Sequence, residues 1–253
     1  MLPSVMPAEI AVTALIAVLF SATHVAGPTL RFLQRTPRSI WLSAAGGVSV
    51  AYVFVHLLPE LAAHQDTFGG EFEGGLLAEM ESHIYLIALV GLSVFYGLDR
   101  LARTSARKAG TAGAARRPGT GVFWIHLTAF AGYNVLIGYL LLHREAADGR
   151  SLILYAIAMG LHFVVNDQGL RQQHGPTYDH RGRWILAAAP LIGWGIGLIG
   201  PAPTLLVSSL FAFLAGGVVL NVLKEELPED RESRFFAFAA GAAIYAALLL
   251  ASR

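Results

Sequence analysis

The sequence predicts an all-α, membrane-spanning protein, and three observations carry that prediction. The 253 residues are 55% hydrophobic and only 14% charged, whereas a water-facing domain carries about 25% charged residues. The apolar residues form unbroken runs of the roughly 20 residues that cross a bilayer as a helix, not the alternation of a β-barrel strand. Basic residues crowd into alternate loops. Eighteen Lys and Arg against 17 Asp and Glu leave no charge excess that would favour nucleic acid. With no cysteine there is no disulfide framework, thiolate nucleophile or zinc finger.

Eight spans follow in order, at about 8–32, 40–62, 83–101, 122–142, 152–170, 184–199, 204–223 and 235–250. The first is too long for a secretory signal core, and Met1–Ala8 holds no Lys or Arg, so a cleaved leader is not expected. The sixth and eighth are short for a span. Between the third and fourth, the segment 104–120 is rich in Arg, Gly, Ala and Thr and contains Pro118. It lacks apolar periodicity and reads as a flexible cytoplasmic loop. The whole chain reads as one transmembrane domain, divided by that loop into three spans and five.

Fifteen of the eighteen basic residues follow spans 1, 3, 5 and 7, and only Arg144, Arg150 and Arg253 fall on the other side. The positive-inside rule then sets both termini outside, in a multi-pass protein of the cell membrane.

Spans 2 and 7 share a pattern. Gly46-Gly47-Val48 leads to His56-Leu57-Leu58-Pro59-Glu60, and Gly216-Gly217-Val218 leads, one residue sooner, to Glu225-Glu226-Leu227-Pro228-Glu229. These are the middle members of triplets 1–3 and 6–8 and cross in opposite senses. Similarity between oppositely directed halves is the mark of an inverted repeat.

On these residues the chain resembles the ZIP (Zrt-/Irt-like) metal transporters. The shared features are the 3+2+3 plan, the loop after span 3, His-Leu-Leu-Pro-Glu ending span 2, and Ala215-Gly216-Gly217 to Glu226-Leu227-Pro228-Glu229 in span 7. The resemblance implies transport of a divalent cation of the zinc or iron kind, as substrate, through a site on spans 4 and 5. The family's span 4 typically reads His-Asn-x-Pro-Glu-Gly, where this chain has Tyr133-Asn134-Val135-Leu136-Ile137-Gly138. Its span 5 typically reads His-x-x-Pro-Glu, where this chain has His162-Phe163-Val164-Val165-Asn166. Both motif carboxylates are absent. A divalent ion in hydrocarbon calls for anionic ligands, so a site here must be differently built.

Read from the residues alone, spans 4 and 5 still carry polar groups. Tyr133, Asn134 and His162 fall near mid-span. His126 lies two turns inward of Tyr133 on one face, and Asn166 lies one turn inward of His162, beside Asp167. Asp167 is the acidic residue set well inside a span, and such a group is a functional candidate by default. The candidate cation ligands are therefore His162, Asn166, Asp167, Asn134, His126 and Tyr133. A structural hydrogen-bond network is the competing reading. His24 in span 1 suits either one, with a packing role favoured.

Weaker features are His56 with Glu60 at a span end, His64, Asp66, Glu79, Glu81 and His83 in an outer loop, and His174 to His180 in an inner one. Each is explained as well by a hydrated surface, as are Glu225, Glu226, Glu229, Asp230 and Glu232. No HExxH, GxSxG or paired-carboxylate pattern points to an enzyme. Lys224 and Lys108 both sit outside mid-bilayer positions, against a retinal linkage. Partners are the lipid bilayer and the transported cation, and small-residue faces such as Gly195-x-Gly197 permit a homodimer. The alternative function is a non-transporting relative that keeps the fold as an interaction or regulatory protein.

Overall fold

The computed structural model describes residues 7–29, 40–68, 84–109, 119–143, 149–226 and 234–251. The described residues are almost wholly helical, with no strand among them. They form α1 (Pro7–Ala26), α2 (Ile40–Tyr52), α3 (Leu58–Phe68), α4 (Ile84–Ala109), α5 (Thr120–Leu140), α6 (Gly149–His174), α7 (Arg183–Ile199), α8 (Thr204–Asn221) and α9 (Phe235–Leu250). Among the described residues, seven helical stretches are long and apolar enough to cross a membrane, and the 16-residue α9 is a shorter apolar one. Large apolar side chains stand exposed along them, among them Leu15, Leu19, Leu89, Val90, Ile192 and Ile196. Such faces suit hydrocarbon and not water. The architecture fits a multi-pass membrane protein.

The helices depart from the expected bounds where local chemistry directs it. Span 1 stops at Ala26 and tightens into a 3₁₀ turn at Gly27–Thr29, because Gly27 and Pro28 disfavour another α turn. α4 continues to Ala109, into the segment read as a loop from residue 104. Residues 104–109 contain neither Gly nor Pro, and Gly110 is the first breaker after them. The rest of that segment, 110–118, lies outside the described residues, as do Glu79, Glu81, His83, Glu229, Asp230 and Glu232.

Three turns widen to π geometry: Val53–Leu57, Tyr178–Gly182 and Val222–Glu226. The first has a direct cause. The Pro59 ring would press on the carbonyl four residues back and has no N–H to bond it. The ladder shifts by one, and the Leu58 N–H donates to the Val53 carbonyl. The turn at Val222 stands at the same distance before Pro228 in the sequence.

The helices pack as two compact units of interleaved segments. One comprises residues 1–39 and 98–201, and the other 40–97 and 202–253. In the second unit α2 packs on α9, and α8 on α4, with backbones nearly touching. A Cβ on Gly47 would lie 2.1 Å from the Phe238 carbonyl oxygen and 2.8 Å from the Ala242 nitrogen. A Cβ on Gly216 would lie 1.8 Å from the Ala88 oxygen and 2.7 Å from the Leu92 nitrogen. Gly241 meets the Ala44 carbonyl and Gly91 the Phe213 carbonyl in the same manner.

These contacts correspond one to one. The chain separation that carries Gly47 to Gly216 also carries Ala44 to Phe213, Val53 to Val222 and Pro59 to Pro228. A second constant separation carries Ala88 to Phe238, Gly91 to Gly241 and Leu92 to Ala242. Gly47 therefore corresponds to Gly216, and Gly46 to Ala215. The one-residue slip in the sequence alignment disappears, because packing fixes the register that the Gly-Gly pairs left ambiguous.

In the first unit α5 and α7 cross at glycines. A Cβ on Gly193 would lie 1.8 Å from the Val135 oxygen, and one on Gly138 would lie 2.1 Å from the Pro190 oxygen. Side chains tie the other helices in: Ser21 Oγ donates to the Ala187 carbonyl, Trp194 Nε1 donates to Thr13 Oγ1 at 3.1 Å, and Tyr155 donates to the Ile137 carbonyl at 3.1 Å. Phe123, Leu127, Phe130, Leu170, Tyr178 and Leu186 form an apolar core at one end of this unit.

Candidate functional site

The polar residues of interest all lie in the first unit. The α1 helix brings His24 inward on the face shared with Phe20, Ala17 and Thr13, four positions that repeat at helical spacing. His24 stacks near Phe163, with ring centroids 4.8 Å apart, and Phe163 in turn meets Phe20 edge-on at 5.1 Å. That aromatic wall fixes the imidazole plane.

Asp167, on α6, is 2% exposed, and both its carboxylate oxygens lie beside His24 Nδ1, at 2.9 and 3.0 Å. The Nδ1–H donates to the carboxylate, which leaves Nε2 as the acceptor of the neutral ring. Asn134 on α5 supplies the matching donor, its Nδ2 3.0 Å from His24 Nε2. Three helices thus meet through one imidazole, with His24 and Asn134 each 1% exposed.

One turn further along α6, Arg171 closes the site from the other side. Its Nε donates to Asp179 Oδ1 at 2.8 Å and its Nη1 to the Gly27 carbonyl at 2.7 Å. A Cβ on Gly27 would lie 3.0 Å from Arg171 Nη2 and 3.6 Å from Asp167 Oδ2. The end of α1 is therefore seated between the guanidinium and the carboxylate. Tyr178, fully buried, faces the same charged group of Asp167, Arg171 and Asp179.

The six candidate ligands are distributed as follows. Asp167 and Asn134 meet through His24. His162 faces Tyr133, with ring centroids 5.8 Å apart, and the Tyr133 hydroxyl lies 3.8 Å from Met159 Sδ. A depth count along spans 4 and 5 sets His162 level with Tyr133 and Asn134, and His126 level with Asn166 and Asp167, but in the structure His126 and Asp167 take other partners. His126 pairs with His174, Nδ1 to Nε2 at 3.2 Å. Asn166 is buried on α6 beside Asp167. Among the described residues no three His, Asp or Glu side chains gather as a ready metal cluster.

Sequence reasoning undervalued His24 and missed Arg171. His24 stands alone in an apolar run, with nothing local to mark its partner. Arg171 was counted as a loop charge, although its spacing of four from Asp167 puts both on one helix face. Among the weaker features, His56 Nε2 lies 3.4 Å from Glu60 Oε2, and His180 Nδ1 lies 2.8 Å from the Pro176 carbonyl. The described side chains do not include His64, Asp66, Glu225 and Glu226.

No protein-family model, curated protein or solved structure matches this chain.

Proposed function

We propose that the protein is a ZIP-like transporter that carries a cation through its α1–α5–α6 bundle, with Asp167 as the anionic ligand. The observation behind this reading is the burial of Asp167 in an apolar span, held by His24 from one helix and reached through it by Asn134 from another. A carboxylate inside a span is costly to keep and is usually retained for ions or protons. Carboxylate, imidazole and amide oxygen are donors that zinc-class ions accept. The carboxylate is displaced from the two family positions now occupied by Ile137 and Asn166 to the next residue on α6. An arriving cation takes the place of the Nδ1 proton between His24 and Asp167, and that proton passes to Nε2 of the same ring, where Asn134 turns its amide oxygen to accept it.

The equivalent contacts that Gly47 makes with Phe238 and Gly216 with Ala88, and that Gly91 makes with Phe213 and Gly241 with Ala44, support the inverted-repeat reading of spans 1–3 and 6–8. With it goes the eight-span 3+2+3 topology with both termini outside. Alternating access follows from that plan, as motion of the site-bearing helices against the repeat scaffold.

The second reading is a non-transporting relative. It is favoured by the engagement of Asp167 with the His24 N–H, and by the lack of a three-ligand cluster among the described residues.

Uptake of zinc, manganese and ferrous ions into proteoliposomes separates the two. Transport by the wild type, lost in Asp167→Asn and in His24→Ala, supports the first reading. No uptake of any of these ions by the wild type overturns it.

A further inference from the structure

We infer that His126 and His174 form a second metal-binding site, separate from Asp167, for a divalent transition-metal ion of the zinc class. The proposal does not rest on transport. It rests on a pair of imidazoles from two helices brought nitrogen to nitrogen inside an aromatic pocket.

His126 Nδ1 and His174 Nε2 are 3.2 Å apart. Two zinc–imidazole bonds of about 2.0–2.1 Å meeting near the tetrahedral angle set their nitrogens about 3.3–3.4 Å apart. The rings therefore already stand close to the separation that one tetrahedral ion requires. Without an ion, one nitrogen carries the proton and the other accepts it. With an ion, that proton shifts to the other nitrogen of its own ring, and both facing nitrogens are ligands.

The surroundings keep both rings in place. His126 is 5% exposed and His174 3%. Phe130 lies against His126 at 5.1 Å between ring centroids, and Phe123 against His174 at 5.2 Å. His174 is the last residue of α6, a position that is usually frayed. Here the helix is closed by Gly175 at φ 56, whose N–H donates to the Arg171 carbonyl at 2.8 Å. The clamp from Arg171 to Asp179 then holds the following turn. The negative end of the α6 dipole also favours a cation at this point.

With two neutral ligands and the remaining positions left to water, the site is weaker than a closed three- or four-ligand zinc centre. That strength suits a site that takes up and gives back its ion.

Cobalt(II) titration of the full-length protein in detergent, with any affinity tag removed, tests the proposal. Cobalt replaces zinc in such sites and shows intense visible absorption when tetrahedral. The expected result is a tetrahedral visible band whose affinity is at least tenfold lower in His126→Gln and in His174→Gln. No tetrahedral band in the wild type overturns the proposal, as does a band that both histidine variants retain. Loss of the band in Asp167→Asn to the same extent also overturns it, because the ion then sits at the Asp167 site. Should either histidine variant fail to fold, X-ray absorption at the cobalt edge of the one-equivalent wild type decides. Two imidazoles in the shell support the site, and fewer than two overturn it. Loss of cation uptake bears on the transport reading alone, since this assay reads binding.

Discussion

His24 Nδ1 lies 2.9 and 3.0 Å from the two carboxylate oxygens of Asp167, a link between α1 and α6 made where both side chains are almost fully buried. A carboxylate in that setting depends on its donor. Removing one member of a buried hydrogen-bonded pair leaves the other unsatisfied, which costs about 1–3 kcal/mol. His24→Ala and Asp167→Ala should each destabilise the protein by about that much. The double variant should cost clearly less than the two together, because the second change removes the group the first left stranded. Reversible unfolding from mixed micelles measures all three. Additive losses would show that the two residues act separately.

The crossing of α5 and α7 yields a sharper contrast. A Cβ on Gly193 meets the Val135 carbonyl oxygen at 1.8 Å, whereas one on Gly195, two residues on, meets nothing within 4 Å. The backbone has no side-chain freedom with which to give way, so α5 and α7 must move apart. Gly193→Ala should cost at least about 1–3 kcal/mol by overpacking. Gly195→Ala should be neutral or slightly stabilising, since alanine is the better helix former. Melting temperatures of the two variants in one detergent give the comparison directly.

Much of the fold was legible because its cause is local. Hydrocarbon thickness sets span length, and the runs at 40–62, 204–223 and 235–250 coincide closely with helices. The end of α1 shifted to Ala26 because Gly27-Pro28 outweighed an apolar composition that continues to Phe32. The Gly-Gly pairs pointed to the repeat but not to its register, since either glycine of each pair could have been the contact. The site was legible in part for the same reason. Depth counting along α5 and α6 sets His162 level with Tyr133 and Asn134, and His126 level with Asn166 and Asp167, because it weighs those two helices alone. It has no means of finding His24, which comes from a helix more than a hundred residues away in the chain, or of seeing that His174 turns inward instead of ending in a loop.

The repeat itself makes a prediction about equivalence. Gly47 and Gly216 hold corresponding contacts, at 2.1 and 1.8 Å from carbonyl oxygens of the partner helix for an added Cβ. Gly47→Ala and Gly216→Ala should therefore destabilise to a similar degree, each by about 1–3 kcal/mol or more. Thermal unfolding of the two variants side by side checks this. A large cost at one position with none at the other would mean that the two halves of this unit do not pack as equivalents.

At the end of α6 the backbone supplies the last test. Gly175 has φ 56, the left-handed region that an L side chain enters at a cost of about 1 kcal/mol or slightly more. Asparagine tolerates this conformation better than alanine, because its short polar side chain bonds locally. Gly175→Ala should then lower stability by about 1 kcal/mol, and Gly175→Asn by less. The effect should also be local. Gly175 directs the chain from His174 into the turn that holds Tyr178 and Asp179, and its carbonyl accepts the Tyr178 N–H at 3.0 Å. Hydrogen exchange should quicken in the last turn of α6 and in Tyr178–Gly182 in the alanine variant, while α8 and α9 exchange as in the wild type. Uniform quickening throughout the chain would show that this turn unfolds only with the whole protein, and that His174 is held by the global fold instead of by its glycine cap.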